Sequence, residues 1–165
     1  MIRYHPIDAG VTAPCTGLCL SGMHHSYVFL GKSDPLVEHE GNPFSADFSF
    51  TETDGTSRIL RVSFDHADIV RVLDEVYLDS EEYGLDRTGL VHRHFAYRVE
   101  NSRFWNAQSE FYRQMNPAAI HYRFITASAC LDVVTAADVQ FSSIDDPVDT
   151  KRKGRTKGKT GRPGR

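Results

Sequence analysis

The stretch 44-FSADFSFTETDGTSRILRVSF-64 decides the fold. Phe44, Ala46, Phe48 and Phe50 alternate with Ser45, Asp47 and Ser49. After Thr53-Asp54-Gly55-Thr56 the run resumes as Leu60, Val62 and Phe64, separated by Arg61 and Ser63. Successive side chains on a strand point to opposite faces, so each run has one apolar face and one polar face. Asp-Gly supplies the positive φ angles of a tight reversal, and the two runs make a β-hairpin. Its apolar face needs a cover, which the sequence offers as two amphipathic helices further on.

Upstream, Ile2 to His5 reads as a short strand, Pro6 to Met23 as an irregular loop, and Ser26 to Gly31 as a second strand rich in β-branched and aromatic residues. Lys32 to Asn42, with Pro35 and Gly41, reads as a surface loop. Downstream, Asp65 can cap a helix on which Ile69, Val72, Leu73, Val76 and Tyr77 recur at helical spacing. Gly89 to Val99 returns to a two-residue period. A second helix runs from about Ser102 to Gln114, with Phe104, Phe111, Tyr112 and Met115 on its apolar face and Arg103, Asn106, Glu110 and Arg113 opposite. Asn116-Pro117 stops it. Two strands, Ile120–Thr126 and Leu131–Phe141, close the pattern. This order is not an alternating βαβ series, so the expected fold is α+β, a largely antiparallel sheet with two amphipathic helices.

The chain has 165 residues, the size of one domain. Its net charge of −3 conceals an asymmetry: all 22 acids lie in residues 1–150, where eleven Lys and Arg leave the body at −11. The last fifteen residues carry +8 and no acid. The expected organisation is a globular domain over 1–149 and a disordered basic tail over 150–165. Lys151, Arg152, Lys153, Arg155, Lys157 and Lys159 are the candidate nucleic-acid contacts, because a dense cationic run gains affinity for a polyanion by releasing its counterions. With no aromatics interleaved, such binding is non-specific. No apolar run reaches the roughly 18 residues of a membrane span. The N-terminus lacks the apolar core of a signal peptide, and the three cysteines leave at least one unpaired, so the expected location is the cytoplasm.

Cys15-x3-Cys19-x4-His24-His25 has the residue types of a zinc site but not a familiar spacing, and packing within a loop is the simpler account. His92-x-His94 would put two imidazoles on one strand face, without the downstream carboxylate of a metal-binding barrel. Cys130, between apolar neighbours, reads as packing rather than a nucleophile. There is no G-x-S-x-G elbow and no G-x-G-x-x-G loop. Gly154 followed by Gly158-Lys159-Thr160 is one residue short of a P-loop.

Arg3-Tyr4-His5, the loop ending Gly17-Leu18 and the run His25-Ser26-Tyr27-Val28-Phe29-Leu30 together resemble the opening of ADP-ribosyltransferases. The resemblance is to the branch holding RNA 2′-phosphotransferases and small bacterial and phage toxins. Ile59 to Asp65 resembles the family's next core strand, and Ser109-Glu110-Phe111-Tyr112 before Asn116-Pro117-Ala118-Ala119-Ile120 resembles its late acidic segment. The resemblance implies transfer of ADP-ribose from NAD to a protein or nucleic acid. Glu110 would be the carboxylate that stabilises an oxocarbenium-like ribose, and His5 would hold the ribose hydroxyls. Arg3 would meet the pyrophosphate, Tyr27 would stack on the nicotinamide, and His25 would help hold the cofactor. The alternative is a non-enzymatic interaction protein whose acidic body binds a basic partner while the tail contacts nucleic acid.

Overall fold

The computed structural model describes residues 1–10, 17–25, 42–52 and 54–145. In chain order the elements are β1 (Ile2–Pro6), β2 (Cys19–His25), β3 (Phe44–Thr51), β4 (Ser57–Phe64), β5 (Ile69–Leu73), α1 (Glu75–Glu81) and β6 (Arg87–Thr88). There follow β7 (Ala96–Glu100), α2 (Arg103–Asn106), α3 (Glu110–Met115), β8 (Ile120–Ile125), β9 (Cys130–Thr135) and β10 (Gln140–Asp145). The hairpin is β3–β4, in register from Phe44 opposite Phe64 to Thr51 opposite Ser57. Gly55 takes φ +84° at its turn, and Asp54 accepts from the Thr56 N–H at 2.8 Å.

The strands form two sheets, one of six in the order β5-β9-β8-β7-β1-β6 and one of four in the order β10-β4-β3-β2. All pairings are antiparallel except that of β1 with β6. The α+β, largely antiparallel, single-domain reading therefore holds. What covers the hairpin differs: it is the six-stranded sheet. Phe48 meets Phe95 edge-on at 4.7 Å between centroids, and Phe64 lies 5.2 Å from Tyr122 and 6.3 Å from Phe124. Ala46, Leu60, Val62, Leu131 and Val133 complete this apolar layer.

Both expected helices are corrected. Residues 69–73 are strand β5, because Ile69, Val70 and Val72 pair with β9 and their β-branched side chains suit a pleated surface. Helix α1 begins only at Glu75, and its cap is Asp74, which accepts from the Val76 N–H at 2.9 Å. Val76 and Tyr77, expected to lie on the hairpin, are 70% exposed. The second helix is two, because Ser109 caps a fresh start after Ser102 has capped the first. Phe104 is buried, but Phe111 and Met115 are on the surface.

Three strand boundaries also move. The stretch read as loop contains β2, which pairs with β3, and the strand expected at 26–31 lies outside the described residues. The strand expected over 89–99 is restricted to Ala96–Glu100, after a turn in which Arg93 has φ +62°. The strand expected over 131–141 is two strands in different sheets, β9 and β10. The expected basic tail, 150–165, lies outside the described residues.

The six-stranded sheet has a second face, and its register sets what that face carries. Tyr97 pairs with Arg123, Arg123 with Asp132, and Asp132 with Arg71, one unbroken row across β7, β8, β9 and β5. Directly paired residues share a face, so these four point away from the aromatic layer. The cover on this side is Leu78 and Glu82 around α1, Leu85 beyond it, and Ser102 and Phe104 of α2. No helix among the described residues is long and apolar enough to cross a membrane.

Gly89 closes the β1–β6 end. It has φ +82°, and a Cβ there would sit 1.9 Å from the Tyr4 carbonyl oxygen. Gly84, with φ +74°, has open space around it. Gly89→Ala should therefore cost about 2–4 kcal/mol through clash added to strain, whereas Gly84→Ala should cost only the strain of about 1–2 kcal/mol. Urea unfolding of the two variants checks this; equal losses would mean that β6 moves aside without penalty.

Candidate functional site

Arg123 is the centre of the charged face, with a side chain wholly removed from solvent. Its Nε donates to Asp132 Oδ1 at 2.6 Å, and one terminal nitrogen donates to Glu82 Oε1 at 2.6 Å and to the Tyr4 hydroxyl at 2.8 Å. Tyr4 in turn donates to Glu82 Oε2 at 2.6 Å. Arg71 donates to the far oxygen of Asp132 and to Glu81, with its guanidinium 3.9 Å from the Phe104 ring centre. Burial disfavours charge on Arg123, but Asp132 and Glu82 outweigh it and hold its pKa above the ordinary arginine range. Burial would likewise raise Asp132, yet hydrogen bonds from His121 and Arg123 keep its carboxyl well below the usual range. Every charge in this layer has an opposite charge within hydrogen-bond reach, which a buried ion requires.

A hydrogen-bonded series leads out of the network toward α2. Asp132 can only accept, so His121 Nε2 carries the proton and donates to Oδ1 at 2.9 Å. Nδ1 is then the acceptor, and Ser102 Oγ donates to it at 2.9 Å. The same Oγ accepts the Trp105 N–H at 3.0 Å as the cap of α2. Burial lowers the His121 pKa and keeps the ring neutral, with Asp132 opposing that shift only in part. Ser-His-Asp in this order is the constellation of an activated nucleophile. Here Ser102 is fully buried and already committed as a cap, so the series fixes the position of α2.

Beside this series the sheet opens. The β7–β8 ladder ends at the Val99–His121 pair. Beyond it Asn101, at φ +58°, turns the chain toward α2, while Pro117, Ala118 and Ala119 arrive from α3. The wedge between them is a cavity of about 360 Å³, lined among others by Arg98, Glu100, Trp105 and Pro117. Arg98 also borders a shallower cavity of about 270 Å³ with His5 and Tyr122.

Arg3 and His5 lie on the neighbouring strand and converge on Glu100, at 3.6 Å and 3.3 Å. His25 ends β2 in the other sheet, edge-on to Phe44. Glu110 opens α3 and accepts from Gln114 at 3.1 Å. Neither lines the larger cavity. Tyr27, Cys15 and the basic residues Lys151, Arg152, Lys153, Arg155, Lys157 and Lys159 lie outside the described residues. Cys19 is exposed, His24 faces Asp47, and among the described residues no three His, Cys, Asp or Glu group as metal ligands. His92 and His94 do not share a strand; they sit in the turn before β7, where His94 meets the Ile7 carbonyl at 3.1 Å. Cys130 is buried, which pushes its thiol up to about 12, as packing requires.

Arg98, Glu100, Trp105 and the whole Arg123 network were not among the candidates from sequence. One signal could have found the network: Asp132 interrupts the apolar run from Cys130 to Val134, where a charge demands a partner. No protein-family model matches the chain, and no curated protein or solved structure matches it.

The network makes stability fall with acid in two stages. The His121 pKa is lowered from its ordinary value of 6.5 on folding, so the unfolded chain binds the extra proton first. Stability is full above pH 6.5 and declines as pH falls toward the folded-state value. Asp132, also depressed, adds a second decline below the ordinary carboxyl value of 3.8. Urea midpoints between pH 8 and pH 5 should fall with acid in the wild type and fall less in His121→Gln. Parallel profiles would show that His121 is not the group responsible.

Proposed function

We propose that this chain is a non-enzymatic interaction protein whose acidic body takes a basic segment of a partner protein. The observation that supports this is the surface of the stretch 74–86. Val76 and Tyr77 are each 70% exposed and Tyr83 is 84% exposed, beside the exposed acids Asp74, Glu75, Asp79 and Asp86. Large side chains left in water at α1 are costly for a free monomer, and aromatic residues are common anchors of protein interfaces. Carboxylates around them attract and orient a cationic partner, whose Lys and Arg stems can lie on the tyrosine rings. The adjoining strand β5 is the outer strand of its sheet and leaves Val72 partly exposed, which extends the apolar surface. The run 151–165 supplies a second, oppositely charged part suited to non-specific contact with nucleic acid.

A second reading, transfer of ADP-ribose from NAD, draws support from the convergence of Arg3 and His5 on a carboxylate. In that reading Glu100, rather than Glu110, would face the developing positive charge on the ribose.

The test is capture from a cell extract with the full chain, with Tyr77→Ala/Tyr83→Ala and with Glu75→Lys, each followed by calorimetry with the recovered protein. A basic protein should bind the wild type stoichiometrically, lose about tenfold or more in affinity with either variant, and bind more weakly as salt rises. Equal binding by all three chains would contradict the proposal. Saturable NAD binding with nicotinamide release, lost in Glu100→Gln, would establish the second reading instead.

A further inference from the structure

We infer that the basic segment taken by the acidic body adds to β5 as an extended strand, which rests on the reading of that body as a docking surface. The strand lies at one end of the six-stranded sheet and pairs with β9. All six residues of β9 are buried, whereas none of the five in β5 is. Among the described residues no backbone hydrogen bond joins β5 to any segment but β9. Its outer N–H and C=O groups form a row open to another chain, and main-chain pairing along such a row is how extended peptides bind sheet edges. Sheets commonly blunt a free edge with lysine, proline or a bulge. The run Ile69-Val70-Arg71-Val72-Leu73 has no lysine or proline and pairs with β9 without a shift of register. Its one charge, Arg71, is already held by Glu81 and Asp132.

The side chains along the edge select the segment. Residues two apart on a strand share a face, so Val70 and Val72 lie on one side, and Asp68 and Asp74 follow two positions beyond them at either end. Val70 packs on the core, while Val72 is 41% exposed. Asp68 is held by His66 at 2.7 Å and Asp74 by the Val76 N–H at 2.9 Å, which fixes a carboxylate at each end of the edge. Directly opposed residues of paired strands share a face. The complementary segment therefore reads basic, β-branched, β-branched, basic at alternate positions, in either direction along β5. A second copy of this chain fits worse. Pairing β5 with itself about Arg71 sets Asp68 opposite Asp74, and like charges directly opposite are destabilising. The chain's own run 151–165 has the charge but no large apolar residue to lie beside Val72.

The full chain is titrated with the end-capped peptide Lys-Thr-Val-Thr-Val-Thr-Lys, followed by calorimetry and by its own amide resonances. Two further peptides carry N-methyl groups on the valines or on the threonines, because only one of these sets donates to β5 in an added strand. The parent peptide should bind saturably, more weakly as salt rises, and should shift the resonances of residues 69–73. One methylated peptide should bind about tenfold or more weakly than the parent, and the other should not. Asparagine also caps helices, so Asp68→Asn/Asp74→Asn should fold normally by circular dichroism while binding the parent about fivefold or more weakly. Val72→Lys, at an exposed position, should repel the peptide in the same way. No saturable binding at several millimolar, equal effects of the two methylations, shifts confined to α1, or a free chain already dimeric through β5 would overturn the added strand. If α1 still captured a basic protein in those cases, the docking surface would stand without it. Peptide binding at 69–73 by a chain that recovers no basic protein would support the added strand and count against the α1 surface alone.

Discussion

The guanidinium of Arg123, held between Asp132 and Glu82 with no access to water, is the constraint on which the rest of the structure depends. Its value is not simply stability, since the desolvation of three charges consumes most of what their attraction returns. What it supplies is uniqueness. Along β8, His121 and Arg123 point one way and Tyr122 and Phe124 the other. A one-residue slip of that strand would drive Arg123 into the phenylalanine layer and turn Phe124 into the charges. The row Tyr97–Arg123–Asp132–Arg71 thereby ties the register of four strands to one set of ion pairs. Glu82 then fastens the segment after α1 to the same row, at a sequence distance of 41 residues from Arg123.

The candidate sites sit where this constraint ends. Asp132 orients His121, His121 orients Ser102, and Ser102 caps the helix that carries Trp105 to the wedge. The indole is thus positioned by a series of hydrogen bonds anchored in the core, although it faces an open cavity. On the other side of the network, α1 buries Leu78 and leaves Val76 and Tyr77 outside. A helix of two turns with one buried anchor gives little to the core, and its exposed side is left for a partner. Rigid interior charge and sparsely anchored periphery belong to one arrangement.

Much of the apolar architecture was legible, and little of the polar one. The β3–β4 hairpin was readable because strict alternation over two runs, joined by Asp-Gly, has few other physical solutions. Residues 69–77 were misread because Ile69, Val72, Leu73, Val76 and Tyr77 match a helical stripe as well as a strand followed by a short helix. Only pairing with β9 distinguishes the two. Ser109 looked like an interior residue of one long helix, when a serine that can accept from the Tyr112 N–H starts a new one just as readily. His121 and Arg123 alternate with Tyr122 and Phe124 along β8, and such alternation reports that two faces differ, not that water lies on one of them. Glu82 was invisible among its acidic neighbours. Arg3 and His5 stand out on β1 in the sequence, but that their carboxylate partner is Glu100 follows only from the pairing of β1 with β7.

The direct test of the central claim is a double-mutant cycle on Arg123 and Glu82, by urea unfolding at pH 7. Arg123→Met removes the cation that Glu82 and Asp132 share, leaving Glu82 with the Tyr4 hydroxyl, and Glu82→Leu removes one partner, so the larger single loss should be about 3–5 kcal/mol. If the pair acts as one element, the double variant should lose at least about 2 kcal/mol less than the sum of the single losses. Strictly additive losses would contradict the account and reduce the network to independent contacts.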